Sequence, residues 1–594
     1  MAASRRGQPD LHVRLPSNPA VVALPDLPAI SALFLISFDI KAGYTILWKA
    51  AKPGVELEGV VEYKSLPSGL HTVSEDLIYF VHDDYAGLSA FINAPVDDVA
   101  ARNACMLAVG VLVPLSYGRL GRAWKHAESL KAIASKLVLD SKDVSALEEY
   151  WEKNQARDVV VDDNAIADDD HESPTTTQKS KLNAQSKNRS ASDGVTLMLP
   201  GHRLSPFHPA WSLNKLLDTF GPLIFPIHRA ALLRKRILIS GHAPVEEACN
   251  FVYNISVLSN IPQATSDLLL SSSASHRLKP LFSVGVHDIP ALAAAAQPET
   301  RTGWIACTTD SILSNKDTLW DVLITLPPAH APNAKKHVWP TVELPHKVPM
   351  KATQRDMRRF RSLKAGLARI ADNGPSSSPA TPQTGAAYTE GDILLDDAEQ
   401  LIEPTSWAAL AYSGFMWWAS AGEKPRSDEV EEAVQDTLLL SDPTASSNGM
   451  SMPRTTDISA SLSSLTPRRS STSAPLDLEE AHVELAIISY FHRLTTQLLG
   501  ALADAIDNTD GTEADEEDEE DEEEPSEEDD ALIDADQDVQ GHGVRIDSDV
   551  VKRMGLDVWS PSDAEFVTEF LKTYFDRSAF LEGKGVELCG IKVC

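Results

Sequence analysis

Five apolar runs rich in β-branched and aromatic residues follow one another between Ala32 and Leu115, with turn residues and no helical period between them. They are ALFLISFDI (32–40), YTILWKA (44–50), LIYFVH (77–82), YAGLSAFI (85–92) and ACMLAVGVLVPL (104–115). Runs of this kind read as consecutive strands, the first two joined as a hairpin. Lys41-Ala42-Gly43 and Asp83-Asp84 are the turn signals. The pattern then switches. Leu120, Trp124, Ala127, Leu130, Ile133 and Leu137 recur at spacings of three and four, a helical stripe, and SKDVSALEEYWEKN predicts a second, shorter helix. Strands followed by helices make residues 30–154 a small α+β module.

Residues 1–29 and 155–200 are polar or proline-broken and are read as a disordered N-terminus and linker. From 201 to 345 the runs alternate instead: a helix near 211–220, RILIS (236–240), a helix over 244–258, LFSVGV (281–286), GWIACT (303–308) and LWDVLITL (319–326). Strands separated by helices predict an α/β module with a mostly parallel sheet. Residues 346–594 are predicted to be helical, with disordered inserts at 373–385, 441–476 and an acidic one at 508–545. Ile487, Phe491, Leu494, Leu498 and Ala501 mark one long helix. Ser560 with Pro561 and Asp563 predicts the N-cap of another.

The formal net charge of −33 is the wrong sign for a protein that grips nucleic acid. Fifteen of the 18 positions from Glu513 to Asp530 are acidic, and removing those 15 charges from −33 still leaves −18. The five cysteines (105, 249, 307, 589 and 594) form no CxxC pair, which points away from a disulfide framework or zinc site and toward a reducing cytosol. Nucleotide-binding glycine loops, zinc-protease and hydrolase motifs and EF-hand loops are all missing from the sequence, so no metal, no cofactor and no covalent catalytic residue is expected. The charge-free stretch Pro404–Gly422 nears the length of a spanning helix, but its four Ser or Thr and three Gly or Pro predict a buried helix instead.

Lys347–Arg369 carries eight bases against the single acid Asp356. Lys351, Arg355, Arg358, Arg359, Arg361 and Lys364 are candidates to meet an anionic membrane or an acidic surface, and equally to pair with the chain's own acids. Thr466 and Ser471 sit in patterns that kinases favour.

ALLRKRILIS (231–240), a helix ending in bases and running directly into a strand, resembles the signature of the central module of DENN-domain proteins. FGPLIFPIHRAALLRKRILI (220–239), WIACTTDSILSNKDTLWDVLI (304–324), EGVVEYKSLPSGLHTVSEDLIYF (58–80) and RNACMLAVGVLVPLSYGRL (102–120) are similar to the LCHN branch, the DENN domain-containing protein 11 group. TQRDMRRFRSL (353–363), SWAALAYSGFMWWASAGE (406–423) and GLDVWSPSDAEFVTEFL (555–571) resemble its fungal members.

The resemblance implies a longin-like first module (uDENN), a central α/β DENN module and a helical C-terminal module. It also implies guanine nucleotide exchange on a Rab-type small GTPase in membrane trafficking, by a cytoplasmic protein that meets trafficking membranes peripherally. The GTPase would be held between the first two modules, with Phe38, Tyr44, Arg102, Asn103, Arg234, Lys235 and Arg236 as interface candidates. For the last three, capping a helix C-terminus is an equal alternative. A scaffold that binds a GTPase or membrane without exchange is the second hypothesis. A metabolic enzyme on the α/β module is the third, and the missing catalytic constellation weighs against it.

Overall fold

The computed structural model describes residues 27–39, 41–95, 104–140, 142–156, 204–269, 277–295, 302–328, 337–372, 397–440, 481–519, 543–581, 586–588 and 591–593. Arg102, Asn103, Thr466 and Ser471 lie outside them, as do the predicted inserts at 373–385 and 441–476 and most of the N-terminus and first linker.

The first part comprises β1 (Ala32–Asp39), β2 (Gly43–Ala51), the short helix α1 (Val61–Ser65), β3 (Glu75–His82), β4 (Tyr85–Pro95), β5 (Ala104–Pro114), α2 (Ala127–Leu139) and α3 (Ser145–Asn154). Its strands lie in the order β3-β4-β5-β1-β2 and every pair is antiparallel. Leu130, Ile133, Ala134 and Leu137 of α2 are buried, and the helix packs on β4 and β5, as a stripe of that period requires.

The central part contains α4 (Leu213–Phe220), α5 (Ile224–Leu232), β6 (Ile237–Ser240), α6 (Glu246–Leu258), β7 (Lys279–Ser283), α7 (Ile289–Ala294), β8 (Trp304–Thr308), α8 (Ser311–Ser314), β9 (Val322–Thr325), β10 (Thr341–Leu344) and β11 (Val348–Pro349). Strands β7, β8, β6 and β9 pair in parallel in that spatial order, and β9, β10 and β11 continue antiparallel. The two parts share one sheet. Phe80 of β3 lies opposite Phe282 of β7, so that eleven strands run from β11 to β2 and most joins are antiparallel. The parallel character predicted for the central sheet therefore describes one patch of a larger, mostly antiparallel one.

The join is reinforced by a carboxylate. Asp76 of β3 accepts hydrogen bonds from Val245 N (2.6 Å) and Glu246 N (3.1 Å), satisfying the first free N–H groups of α6 from another part of the chain. The following turn of α6 puts Cys249 Sγ on the Tyr79 carbonyl. A further close approach fixes β8: a Cβ on Gly303 would sit 2.3 Å from the Arg234 carbonyl oxygen, so only glycine fits.

The C-terminal part is mostly helical: α9 (Gln354–Asp372), α10 (Trp407–Ala419), α11 (Glu423–Leu440), α12 (His482–Glu519), β12 (Gly543–Ile546), α13 (Ser548–Arg553), α14 (Pro561–Phe575) and β13 (Ser578–Leu581). Helix α12 continues to Glu519, past residue 508 where the acidic insert was placed. Ser560 caps α14, its hydroxyl accepting from Asp563 N. Leu498, Leu499 and Leu502 of α12 meet Val567, Phe570 and Leu571 of α14 in a second core beside the main one.

Arg229 of α5 ties this part to the sheet. Its guanidinium donates to both oxygens of Asp356 on α9 (2.9 and 2.7 Å) and lies 3.2 Å from Asp563 of α14, all three side chains being buried. Burial pushes on Asp356, but the charge and hydrogen bonds of Arg229 outweigh it and hold the carboxyl below its usual range. Burial wins at Asp563, which is pushed up to about 7 against the pull of Arg229.

Removing Arg229 takes from two buried acids the cation that bonds Asp356 and faces Asp563, so Arg229→Met is expected to cost about 3–5 kcal/mol of unfolding free energy in urea titrations. A carboxyl whose folded pKa exceeds its unfolded value of about 3.9 contributes stability in full below that value, and loses it as pH rises through the folded one. Wild type should therefore hold its largest advantage over Asp563→Asn below about pH 4, lose it progressively as pH rises toward 7, and have lost it by about pH 7.5. Parallel pH profiles for the two proteins are the outcome that contradicts the assignment.

Candidate functional site

One end of the eleven-stranded sheet is β2, opposite β11, and the hairpin that makes it is locally specified. Asp39 Oδ1 accepts from Lys41 N (2.7 Å) and Ala42 N (2.8 Å), an Asx turn, and Gly43 takes a φ of +78° that suits glycine. The Ala42 and Lys41 amides hold the Asp39 carboxyl below its ordinary value. Leu35 pairs with Trp48 and Ile36 with Ile46, so Leu47 is the extra residue of a β-bulge. The bulge turns Leu47 outward, where it is 54% exposed.

Beside this edge an aromatic chain runs from the first part to the second. Phe38 and Tyr44, the two interface candidates within the described residues of the first part, have ring centroids 5.3 Å apart. Tyr44 meets Tyr63 of α1 edge-on at 6.1 Å, and Tyr63 stacks on His287 at 3.8 Å. His287 belongs to the turn Val286–Asp288 of the central part. Lys64 Nζ lies 2.8 Å from Asp288 Oδ1, and the Ser68 hydroxyl donates to Asp310. Burial, and then the charge of Asp310, raise the Tyr44 phenol above its ordinary value. Leu47, Tyr63 and Ile312 remain exposed. The result is a strand edge without a strand partner among the described residues, flanked by aromatic and aliphatic groups contributed by both parts, a surface suited to binding another protein.

The bases Arg234, Lys235 and Arg236 are not brought to this surface. The Arg234 guanidinium donates to the carbonyls of Ala231 (2.9 Å) and Ser259 (3.1 Å), at the C-terminal ends of α5 and α6. Lys235 pairs with Glu569 of α14. Arg236 is buried and donates to both Asp321 oxygens (3.1 and 2.8 Å) and to the Thr318 carbonyl (2.9 Å). Capping of helix C-termini describes Arg234, whereas Lys235 and Arg236 are held by ion pairs with the chain's own acids.

The basic stretch divides in the same way. Arg355 and Arg359 are 2% and 1% exposed, and both bind Asp436 of α11. As surface contacts they are corrected: buried guanidiniums are retained only where an acid neutralises them. Arg358 pairs with Glu432, and Lys364 with Asp218 of α4 (2.7 Å). Lys351 and Arg361, with Arg358, line a groove of about 580 Å³ between α9 and residues 399–405. Among the described residues no group of three His, Cys, Asp or Glu could hold a metal ion.

Sequence reading passed over Leu47, Tyr63, His287 and Ile312. His287 in isolation looks like any surface histidine, and only the sheet join sets it against Tyr63. Arg236→Ala is expected to cost about 3 kcal/mol, leaving Asp321 half-paired, whereas Lys235→Ala at its partly exposed site costs under about 1 kcal/mol. Urea unfolding of the two variants checks the order, and equal losses contradict the buried role of Arg236.

Residues 33–336 match the family DENN domain-containing protein 11, and residues 402–594 match a domain of unknown function, DUF4484. The chain is 33% identical over 295 residues to DENN domain-containing protein 11 of Danio rerio, covering 50% of this chain and 53% of that protein. It is 30% identical over 336 residues to the Mus musculus protein of that name, covering 54% and 64%. The chain thus spans about half to two thirds of the length of these relatives. Uncharacterized protein ANR2 of Saccharomyces cerevisiae aligns over 591 residues at 23% identity, 93% of this chain and 92% of the other. The match over just more than half of the chain, covering strands β1 to β9, the join between the two parts and the β2 edge, places this protein in the DENN domain-containing protein 11 family.

Proposed function

We propose that the chain is a guanine nucleotide exchange factor for a Rab-type small GTPase in membrane trafficking, as DENN-domain proteins generally are, and that it works in the cytoplasm. The GTPase docks between the longin-like module of residues 30–154 and the central module of residues 201–345. The observation that carries this reading is the exposed β2 edge with Leu47, Tyr63 and Ile312 beside it, where both modules contribute to one surface. Tyr44, itself packed by Phe38, meets Tyr63 edge-on, and Phe38, Tyr44, Arg102 and Asn103 remain interface candidates. Thr466 and Ser471 remain candidate phosphorylation sites.

Exchange needs no nucleophile. A protein that binds nucleotide-free GTPase more tightly than the GDP form weakens GDP binding by the same factor, and GTP then refills the site. A thousandfold faster release corresponds to about 4 kcal/mol of preferential binding to the transition state for dissociation. Apolar contacts at a strand edge can supply this by holding the GTPase in its nucleotide-free shape.

The internal commitment of Arg234, Lys235 and Arg236 leaves those bases spent on the fold, which favours the scaffold alternative to that extent. Release of fluorescent GDP from a panel of Rab GTPases decides between the two. Acceleration on at least one member, reduced about tenfold by Leu47→Glu and by Tyr63→Ala with thermal unfolding unchanged, is the expected result. No acceleration by folded protein, combined with selective retention of the GTP-loaded form, would select the scaffold.

A further inference from the structure

Helix α10 is apolar on its outer face. At about 100° per residue, Trp407, Leu410, Ala411, Gly414, Trp417 and Trp418 fall on one side, and that side faces solvent. Trp407 is 88% exposed, Trp418 75%, Trp417 64% and Leu410 51%. Toward the protein the helix turns Ala409, which is buried, with Tyr412 and Met416 half-buried. Tyr412 packs on Trp559 with centroids 5.2 Å apart. The buried helix expected of this charge-free stretch is thus a surface helix whose large side chains point outward. The reversal arises because the inner face is small and aromatic while three of the four tryptophans and tyrosines of the helix lie outside.

The ends of the helix are well determined. Ser406 accepts from Ala409 N at 3.2 Å as N-cap, and Ser420 donates its hydroxyl to the Met416 carbonyl. Thirteen residues reach about 20 Å, short of the roughly 30 Å hydrocarbon core, and no helix among the described residues is long and apolar enough to cross a membrane. Tryptophan favours the boundary between acyl chains and headgroups, where its ring is buried and its N–H stays hydrated.

Charge supplies a second, independent indication. Pro404 and Thr405, immediately before the helix, form a wall of the groove that Lys351, Arg358 and Arg361 line. Arg358 is balanced by Glu432, and Glu403 accepts the hydroxyls of Ser560 and Ser562, while Lys351 and Arg361 have no ion-pair partner among the described residues. Glu399 is the remaining acid of the groove. Two cations therefore stand beside the start of an outward apolar face. On α11 the exposed Val430 and Val434 are interleaved with Glu429 and Glu431, which keeps that helix out of an anionic surface.

We propose that α10 is an interfacial anchor that lies in the plane of an anionic phospholipid bilayer, its tryptophans and Leu410 entering the acyl boundary while Lys351 and Arg361 meet lipid phosphates. The anchor is independent of nucleotide exchange, and its test contains no GTPase, so either reading can fail without the other.

Full-length protein is floated with phosphatidylcholine vesicles carrying roughly 30% phosphatidylserine, and the bound fraction is measured. Wild type should co-float. Trp407→Ser with Trp418→Ser should lower binding about tenfold, the same pair changed to Phe should retain most of it, and Lys351→Glu with Arg361→Glu should weaken it. The Phe pair guards against a folding artefact, since both pairs should unfold at the wild-type temperature. Absence of flotation, or flotation that survives the Ser pair, overturns the proposal. A self-association of the free protein that the Ser pair abolishes, without vesicle binding, assigns the face to a second copy and also overturns it.

Discussion

A carboxylate from one module caps a helix of the next, and the geometry of the whole molecule depends on it. Asp76 stands on β3 of the antiparallel part yet accepts the first amides of α6, the helix that packs on the central strands. With Phe80 opposite Phe282, this contact makes one sheet from two modules. A buried acid bonded to helix amides is costly to displace, because neither the carboxylate nor the N–H groups would find water. The register between the modules is therefore set at the sheet, and residues far from the join inherit it. Tyr63 can stack on His287, and Lys64 can reach Asp288, only because β3 and β7 are neighbours.

Local elements were legible wherever one short stretch carried its own instruction. The β1–β2 turn is written in Asp39 through Gly43, the α14 cap in Ser560-Pro561 and the α2 stripe in Leu130, Ile133 and Leu137. The sheet join was not legible, because a strand's hydrophobic pattern states which faces are buried and says nothing about which edge finds a partner. The same limit hid the candidate surface. Phe38 and Tyr44 are candidates through the family resemblance, but Leu47 is turned outward by a bulge and His287 arrives from more than 200 residues away. The helix α1 was missed as well; five residues are too few to display a period.

Charge was the least readable property. Eight bases within 23 residues of an acidic chain suggest a surface patch, and a count cannot tell outward bases from inward ones. The structure turns Arg355 and Arg359 inward on Asp436, and their neighbour Asp356 inward on Arg229. These pairs cross between α9, α11 and α5, so they orient the C-terminal helices against the central module. Hydrophobic contacts alone would tolerate sliding of one helix on another, whereas a bidentate arginine and carboxylate match in only one arrangement.

The C-terminal part thus inverts the usual arrangement: α9 carries charges into the interior while α10 carries tryptophans out of it. The two inversions have a common cause. Once Asp436 and Glu432 hold α11 to α9 through arginines, the contact between these helices no longer requires an apolar seam supplied by α10. Helix α10 is then tethered by its ends and by Tyr412 on Trp559, leaving its large side chains without a role inside the fold. Exposing three tryptophans carries a standing cost in water, roughly 25 cal/mol for each Å² of apolar surface left uncovered. A helix that is capped at Ser406 and still presents that surface is shaped by what it meets outside the chain, so its composition reflects binding where that of α2 or α14 reflects packing.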